Sequence, residues 1–302
     1  MKHVAVLMGG WSAEREVSMN SGIGCAEALK ACGYQVTSID AGRNIAEVLA
    51  KVKPDVCFNA LHGRYGEDGF IQGLLEIMGI PYTHSGVLAS AVAMDKPVAK
   101  HLFADAGLTC AEGKIFTRKD IENGASYPKP FVVKPLNEGS SVGVTIILDN
   151  ENMSLADLPW TFGEKVLVET YIPGREIQVA VMGDVALGAV EIKPLGRFYD
   201  YEAKYTAGKA SHLMPAPIPE EDYAEVLRQG LVAHQALGCR GVSRSDFRFD
   251  DTGDGPGKLY ILETNTQPGM TSLSLVPEIA AYTGMNFEEL VRWIVEDASC
   301  DR

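Results

Sequence analysis

The first ninety residues alternate between strand and helix patterns, and that alternation restricts the fold more than any other feature of the chain. HVAVLMGG (3–10) is an apolar run closed by glycines, and SMNSGIGCAEALKACG (18–33) carries a helical stripe ending at Gly33. YQVTSID, IAEVLAKVK, DVCFNALHG and GFIQGLLEIMG then repeat the order strand, helix, strand, helix. Strands spaced by helices in this way build a parallel sheet covered by helices, with ligands beyond the carboxyl ends of the strands. Two such ends carry polar loops, Gly9-Gly10-Trp11-Ser12-Ala13-Glu14 and His62-Gly63-Arg64-Tyr65-Gly66-Glu67. Either alone reads as a tight turn or a structural histidine; both at one sheet edge mark a candidate site.

The pattern changes at residue 95. DKPVAKHLFADAG predicts a helix with Asp95 as its cap, Lys96 and Pro97 in the first turn and Gly107 as its stop. KPFVVKP, VGVTIIL, KVLVETYI and EIQVAVMG then read as strands of an antiparallel sheet, and further helices are expected at about 220–237 and 286–297. SRSDFRFD and KLYILETN flank the turn-rich DTGDGPG and predict a hairpin. Residues 195–213 are polar and aromatic without a clear period, as functional lids often are.

Forty acidic against twenty-seven basic residues leave a formal charge of −13, which argues against a nucleic-acid partner, because that affinity comes largely from Lys and Arg on phosphate. The apolar run before Gly9 is too short for a signal-peptide core or a membrane span, so a cytoplasmic protein with no membrane partner is expected. Six scattered cysteines show no metal-ligand spacing with histidine.

Three segments carry chemistry. In the hairpin, Glu263 and Asn265 share one strand face about 7 Å apart. With the aromatic Phe247, Phe249 and Tyr260 and with Leu262 packed inward, a symmetric register pairs Asp246 with Glu263 and Arg244 with Asn265 on the other face. Three hard oxygen donors suit Mg²⁺, which takes one or two carboxylates plus substrate phosphates; a salt-bridged surface face using Arg244 and Arg248 is the alternative. In FVVKPLNEGSSVGVTIIL a strand ends at Lys134 and a Gly/Ser loop follows, whose amides and hydroxyls can cradle phosphate. The same loop matches G-x-S-x-G with Ser141 as nucleophile, but a strand rather than a helix follows it. In KVLVETYIPGREIQV, Glu169 and Glu176 flank Pro173-Gly174 as a hairpin with two solvated acids, or as a nucleoside site beside the phosphate loop.

GGWSAEREVS, ALHGRYGEDG, PYTHSGVLASAVAMDK, VVKPLNEGSSVGV, FYDYEAKY and LETNTQPGMTSLSLVP, in this order over about residues 4–290, resemble the D-alanine-D-alanine ligase family of the ATP-grasp superfamily. The resemblance implies an α/β chain: an N-terminal Rossmann-like parallel-sheet domain (1–95) and a two-lobed ATP-grasp α+β fold (96–182 and 183–302). It implies a reaction in which ATP phosphorylates one D-alanine and the amine of a second attacks the acyl phosphate, giving a dipeptide for peptidoglycan. Lys96, Lys134 and Lys204 would then contact ATP phosphates under the Ser140-Ser141 loop, with Glu169 and Glu176 at adenine and ribose. Asp246, Glu263 and Asn265 would hold two Mg²⁺, for which Mn²⁺ may substitute. Glu14 would take the ammonium of the first D-alanine, with Val17 and His62 beside it. Ser274 and Leu275 would take the carboxylate of the second, and Arg244 and the Gly269 backbone the oxyanion. Ser140 and Tyr205 would complete a hydrogen-bonded chain to Glu14. Tyr205 stands where relatives that make the D-lactate ester usually carry Phe, which implies the dipeptide product. A homodimer is the family habit.

Overall fold

The computed structural model describes residues 1–137, 139, 143–158, 160, 163–196, 204, 206 and 208–301. β1 (His3–Met8), α1 (Arg15–Ala31), β2 (Gln35–Asp40), α2 (Ile45–Val52), β3 (Val56–Asn59) and α3 (Phe70–Met78) alternate as expected. The strands form a parallel sheet in the order β2-β1-β3. Val4, Ala5, Val6 and Leu7 are fully buried, because helices cover both faces of the central strand and leave no side of it for polar residues. Gly9 leaves β1 with φ +75°, and a Cβ there would sit 2.3 Å from Asp40 Oδ1, so only glycine turns the chain at this point.

α4 (Val87–Met94), an almost wholly apolar run, precedes α5 (Lys96–Asp105). Asp95 caps α5 as expected, its carboxylate accepting from Val98 N at 3.1 Å. β4 (Gly113–Thr117), α6 (Arg118–Glu122), β5 (Phe131–Pro135), β6 (Thr145–Ile147) and β7 (Lys165–Thr170) follow, the strands forming a sheet in the order β4-β7-β5-β6 over a core of its own around Phe131, Val133 and Val168. β8 (Arg175–Met182), β9 (Val185–Pro194), β10 (Ala210–Leu213), α7 (Glu220–Ala236), β11 (Val242–Asp250) and β12 (Lys258–Asn265) build a second antiparallel sheet in the order β10-β9-β8-β11-β12. α8 (Leu275–Tyr282) and α9 (Phe287–Glu296) close the chain. One core joins β1, β3 and α1 to Ala180, Val190 and Val242 of the five-stranded sheet and to Val276 and Ile294 of α8 and α9. The N-terminal sheet is thereby packed onto the C-terminal half.

The structure corrects two expectations. β7 and β8 are not a hairpin: they belong to different sheets, and the change of sheet falls between Thr170 and Arg175. Arg248 of β11 holds the crossing, donating to Ile172 O at 3.1 Å and Gly174 O at 2.7 Å. In the β11–β12 hairpin the pairs Arg244–Asn265 and Asp246–Glu263 are as expected, but the next pair is Phe247–Ile261, leaving Leu262 as a bulge. The bulge reverses the alternation beyond it. Leu259 and Ile261 enter the core with Phe247 and Phe249, while Tyr260 and Leu262 are only half-buried.

His234 of α7 is buried against Ser243, with Nδ1 and Oγ 2.7 Å apart, and burial pushes its pKa down to about 4. The unfolded chain takes up that proton near pH 6.5, so this contribution to stability is complete above 6.5 and is lost as pH falls toward 4. About 2 kcal/mol should be lost by pH 5. Urea midpoints at pH 7 and 5 should differ by less in His234→Gln than in the parent; an equal difference would remove His234 as the cause. No helix among the described residues is long and apolar enough to cross a membrane.

Candidate active site

A cavity of about 540 Å³ opens where the two antiparallel sheets face each other. Lys96, Lys134 and Lys204 line it, together with Glu169, Glu176, Asp246 and Glu263. Lys96 is placed by the first turn of α5 and is buried, which lowers its pKa; its Nζ lies 3.9 Å from Glu263 Oε2. Glu169 is not the solvated acid of a hairpin, for it is 3% exposed and pairs with both Lys134 and Lys100. Burial alone would raise its pKa, but Lys134 and Lys100 outweigh burial and hold it below the usual carboxylate range. Lys100, which also donates to Ala111 O at 2.7 Å, has no role in the sequence reading. Its signal was the i, i+4 spacing from Lys96, which puts both ammonium groups on one face of α5.

Glu176, at the start of β8, is pushed the other way: burial raises its pKa, Asp246 adds to that, and Lys204 and Arg248 oppose it. Gln178 Nε2 donates to Glu176 Oε1 at 3.3 Å, fixing the carboxyl against the floor of the cavity.

Asp246 and Glu263 face each other across β11 and β12, with Arg244 and Asn265 as the next pair on the same face. Arg244 grips Asp246 with two charge-assisted bonds, Nε to Oδ1 at 2.7 Å and Nη2 to Oδ2 at 2.9 Å. Burial pushes Glu263 up, yet Lys96, Lys204, Arg244 and Lys134 together hold it below its ordinary value. Asn265 Oδ1 accepts from Gln267 N at 2.7 Å. Among the described residues no three carboxylate, imidazole or thiol groups converge on a metal position. The donor set is therefore two carboxylates and an amide oxygen, a hard-oxygen set that fits a divalent cation completing its shell with phosphate and water.

The remaining candidates lie at the other end of this cation cluster. Glu14 precedes α1 and is 6% exposed; Val17, in the first turn, is 5% exposed. A Cβ on Gly139 would lie 3.1 Å from Glu14 Oε1, so Gly139 itself sits against that carboxylate. His62 is buried, with Nδ1 3.2 Å from Glu67 Oε1 and Nε2 3.1 Å from Ser21 Oγ. Ser21 Oγ in turn accepts from Met270 N at 3.2 Å, which brings the turn after β12 against His62. Ser274 precedes α8, Leu275 is its first residue, and Gly269 packs so closely that a Cβ would be 2.8 Å from Ser274 Oγ. Glu67, Gly139, Lys204, Arg244 and Glu263 line one small hollow, so the parallel-sheet loops and the large cavity are neighbours. Ser140, Ser141 and Tyr205 lie outside the described residues. Glu67 and Gln267, both buried and bonded within this region, were given no role from sequence.

With three lysines and several carboxylates along one cavity, such a site can bind a nucleoside triphosphate and a divalent cation. The chain matches the family models described as D-ala D-ala ligase C-terminus over residues 102–296 and D-ala D-ala ligase N-terminus over residues 41–85. It is 60% identical over 304 residues to the D-alanine-D-alanine ligase of Paramagnetospirillum magneticum, covering 99% of each chain. It is 56% identical to that of Rhizobium meliloti, covering 100% of this chain and 99% of the relative. Among solved structures, the D-alanine-D-alanine ligase of Bacillus anthracis complexed with ATP superposes with a TM-score of 0.81 at 29% identity, over 98% of this chain and 97% of the other. The VanG D-Ala:D-Ser ligase of Enterococcus faecalis superposes with a TM-score of 0.79 at 29% identity, over 98% of each chain.

Proposed function

The chain belongs to the D-alanine-D-alanine ligase family, and we infer from that premise that it uses ATP to join two D-alanines into D-alanyl-D-alanine for the cell wall. The observation that carries the reading is Glu263, held ionised opposite Asp246 with Lys96, Lys134, Lys204 and Arg244 around it, at the end of a cavity large enough for a nucleotide.

ATP would lie along that cavity with adenine toward Glu169 and the ribose hydroxyls toward Glu176. Lys96, Lys134 and Lys204 would neutralise its phosphates, beneath Ser140 and Ser141. Asp246, Glu263 and Asn265 would hold two Mg²⁺ or Mn²⁺ ions, whose charge when bound offsets that of the transferred phosphoryl group. Positioning and charge stabilisation are most of what phosphoryl transfer requires of a protein. Glu14 would take the ammonium of the first D-alanine, beside Val17 and His62. Its carboxylate then receives the γ-phosphoryl group and ADP is formed. The second D-alanine would dock its carboxylate on the Ser274 hydroxyl and the Leu275 amide, at the positive end of α8. Its neutral amine attacks the acyl phosphate, Arg244 and the Gly269 amide stabilise the oxyanion, and phosphate leaves as the peptide bond closes. Tyr205 and Ser140 would link Glu14 to the lid. The working form would be a homodimer in the cytoplasm; light scattering on the purified protein would check the dimer.

The likeness to a D-Ala:D-Ser ligase keeps acceptor choice as a second reading. ADP release should depend on millimolar D-alanine and, with D-alanine, D-serine and D-lactate in competition, D-alanyl-D-alanine should dominate. Its share should rise with pH, because an amine acceptor must lose its proton to attack. No ADP above background would overturn the ligase reading; a D-lactate ester as main product at neutral pH would overturn the acceptor assignment.

A further inference from the structure

Gln267 lies between Asn265 and Gly269, in a turn that has left the β-sheet ladder, yet it is 1% exposed. Its own N–H donates to Asn265 Oδ1, and its side-chain amide makes a reciprocal pair with Asn59, the last residue of β3. Gln267 Nε2 donates to the Asn59 carbonyl, and Asn59 Nδ2 donates to Gln267 Oε1 at 3.1 Å. Nε2 also lies 3.1 Å from His84 Nδ1. Asn59 continues the connection, donating from Nδ2 to Gly66 O at 3.0 Å, and the following residue, Glu67, contacts His62. Two residues 208 apart in the chain thus clasp the loop of the first substrate to the turn of the second.

We propose that Gln267 is a positioning residue that, through Asn59, sets the spacing between the two amino-acid subsites. This rests on the ligase reading above. A Pro-Gly turn has no ladder to fix it, while an amide aimed at an oxyanion must be held to within about 0.5 Å. A misplacement of about 1 Å costs on the order of 10²-fold in rate. The reciprocal amide pair supplies that constraint without touching either substrate.

Gln267→Met preserves length and removes both bonds. It should raise the KM for the second D-alanine about tenfold and lower kcat by a similar factor, on the order of half the logarithmic cost of a full 1 Å error. The KM for ATP should stay within about twofold, and the thermal shift produced by a non-hydrolysable ATP analogue should equal that of the parent, since the ATP cavity is not part of the clasp. Gln267→Glu keeps the acceptor for Asn59 Nδ2 but sets an anionic oxygen against the Asn59 carbonyl, so its KM should rise at least as far as that of the Met variant; Gln267→Asn, which keeps donor and acceptor one methylene short, serves if the Met variant does not fold. An unchanged second-substrate KM in a folded variant would overturn the proposal, as would an equal rise in the KM for ATP, which marks general disruption. Absence of D-alanine-dependent ADP release in the unaltered chain would count against the ligase reading itself.

Discussion

Glu263→Gln is expected to lower D-alanine-dependent turnover on the order of 10³-fold, the several kcal/mol that metal-assisted charge stabilisation supplies, without changing the circular dichroism spectrum. The amide has the shape of the carboxylate, so the β12 backbone and the Leu262 bulge have no reason to move. What disappears is the negative charge that faces Asp246 and offsets Lys96, Lys204, Arg244 and Lys134. With it goes one of two carboxylates available to a divalent cation, so the Mg²⁺ concentration for half-maximal rate should move upward. An unchanged rate and Mg²⁺ dependence would remove Glu263 from the metal site.

Arg244→Met is expected to lower kcat by 10²- to 10³-fold, about 3 to 4 kcal/mol, the usual cost of losing an oxyanion donor. The guanidinium is held by two short bonds to Asp246, one to each carboxylate oxygen. Arg244→Lys should recover little, since an ammonium cannot reproduce a planar fork. The KM for ATP should change far less than kcat, because Lys96 and Lys134 remain. A loss confined to the KM for ATP would move Arg244 from the oxyanion to the nucleotide.

Where the relevant physics is local, the sequence was readable. The unbroken run at residues 4–7, the Asp95 cap and the glycine stops at Gly79 and Gly107 each follow from near neighbours, and each stands in the structure. The Asp246–Glu263 pair was readable from a symmetric register, though it lies beyond a bulge that shifts by one residue the register next to the turn. The bulge at Leu262 was not, for a bulged leucine and an alternating one look alike in the chain. Nor was the separation of β7 from β8, since Pro-Gly suits a hairpin as well as a crossing; what decides is Arg248, more than seventy residues on, closing on the carbonyls of Ile172 and Gly174. The partners of Lys100 and Gln267 were hidden for the same reason. Each is an ordinary helix or turn residue until the fold brings Glu169 or Asn59 to it.

The central claim is that the site phosphorylates a carboxylate before it makes a peptide bond. D-alanine carrying a heavy-oxygen label in its carboxylate tests this directly, by mass analysis of the phosphate released during turnover with Mg-ATP. One labelled oxygen per phosphate is the expected result, because the bridging oxygen of an acyl phosphate leaves with phosphorus when the amine displaces it. Unlabelled phosphate, released in step with dipeptide, would contradict it.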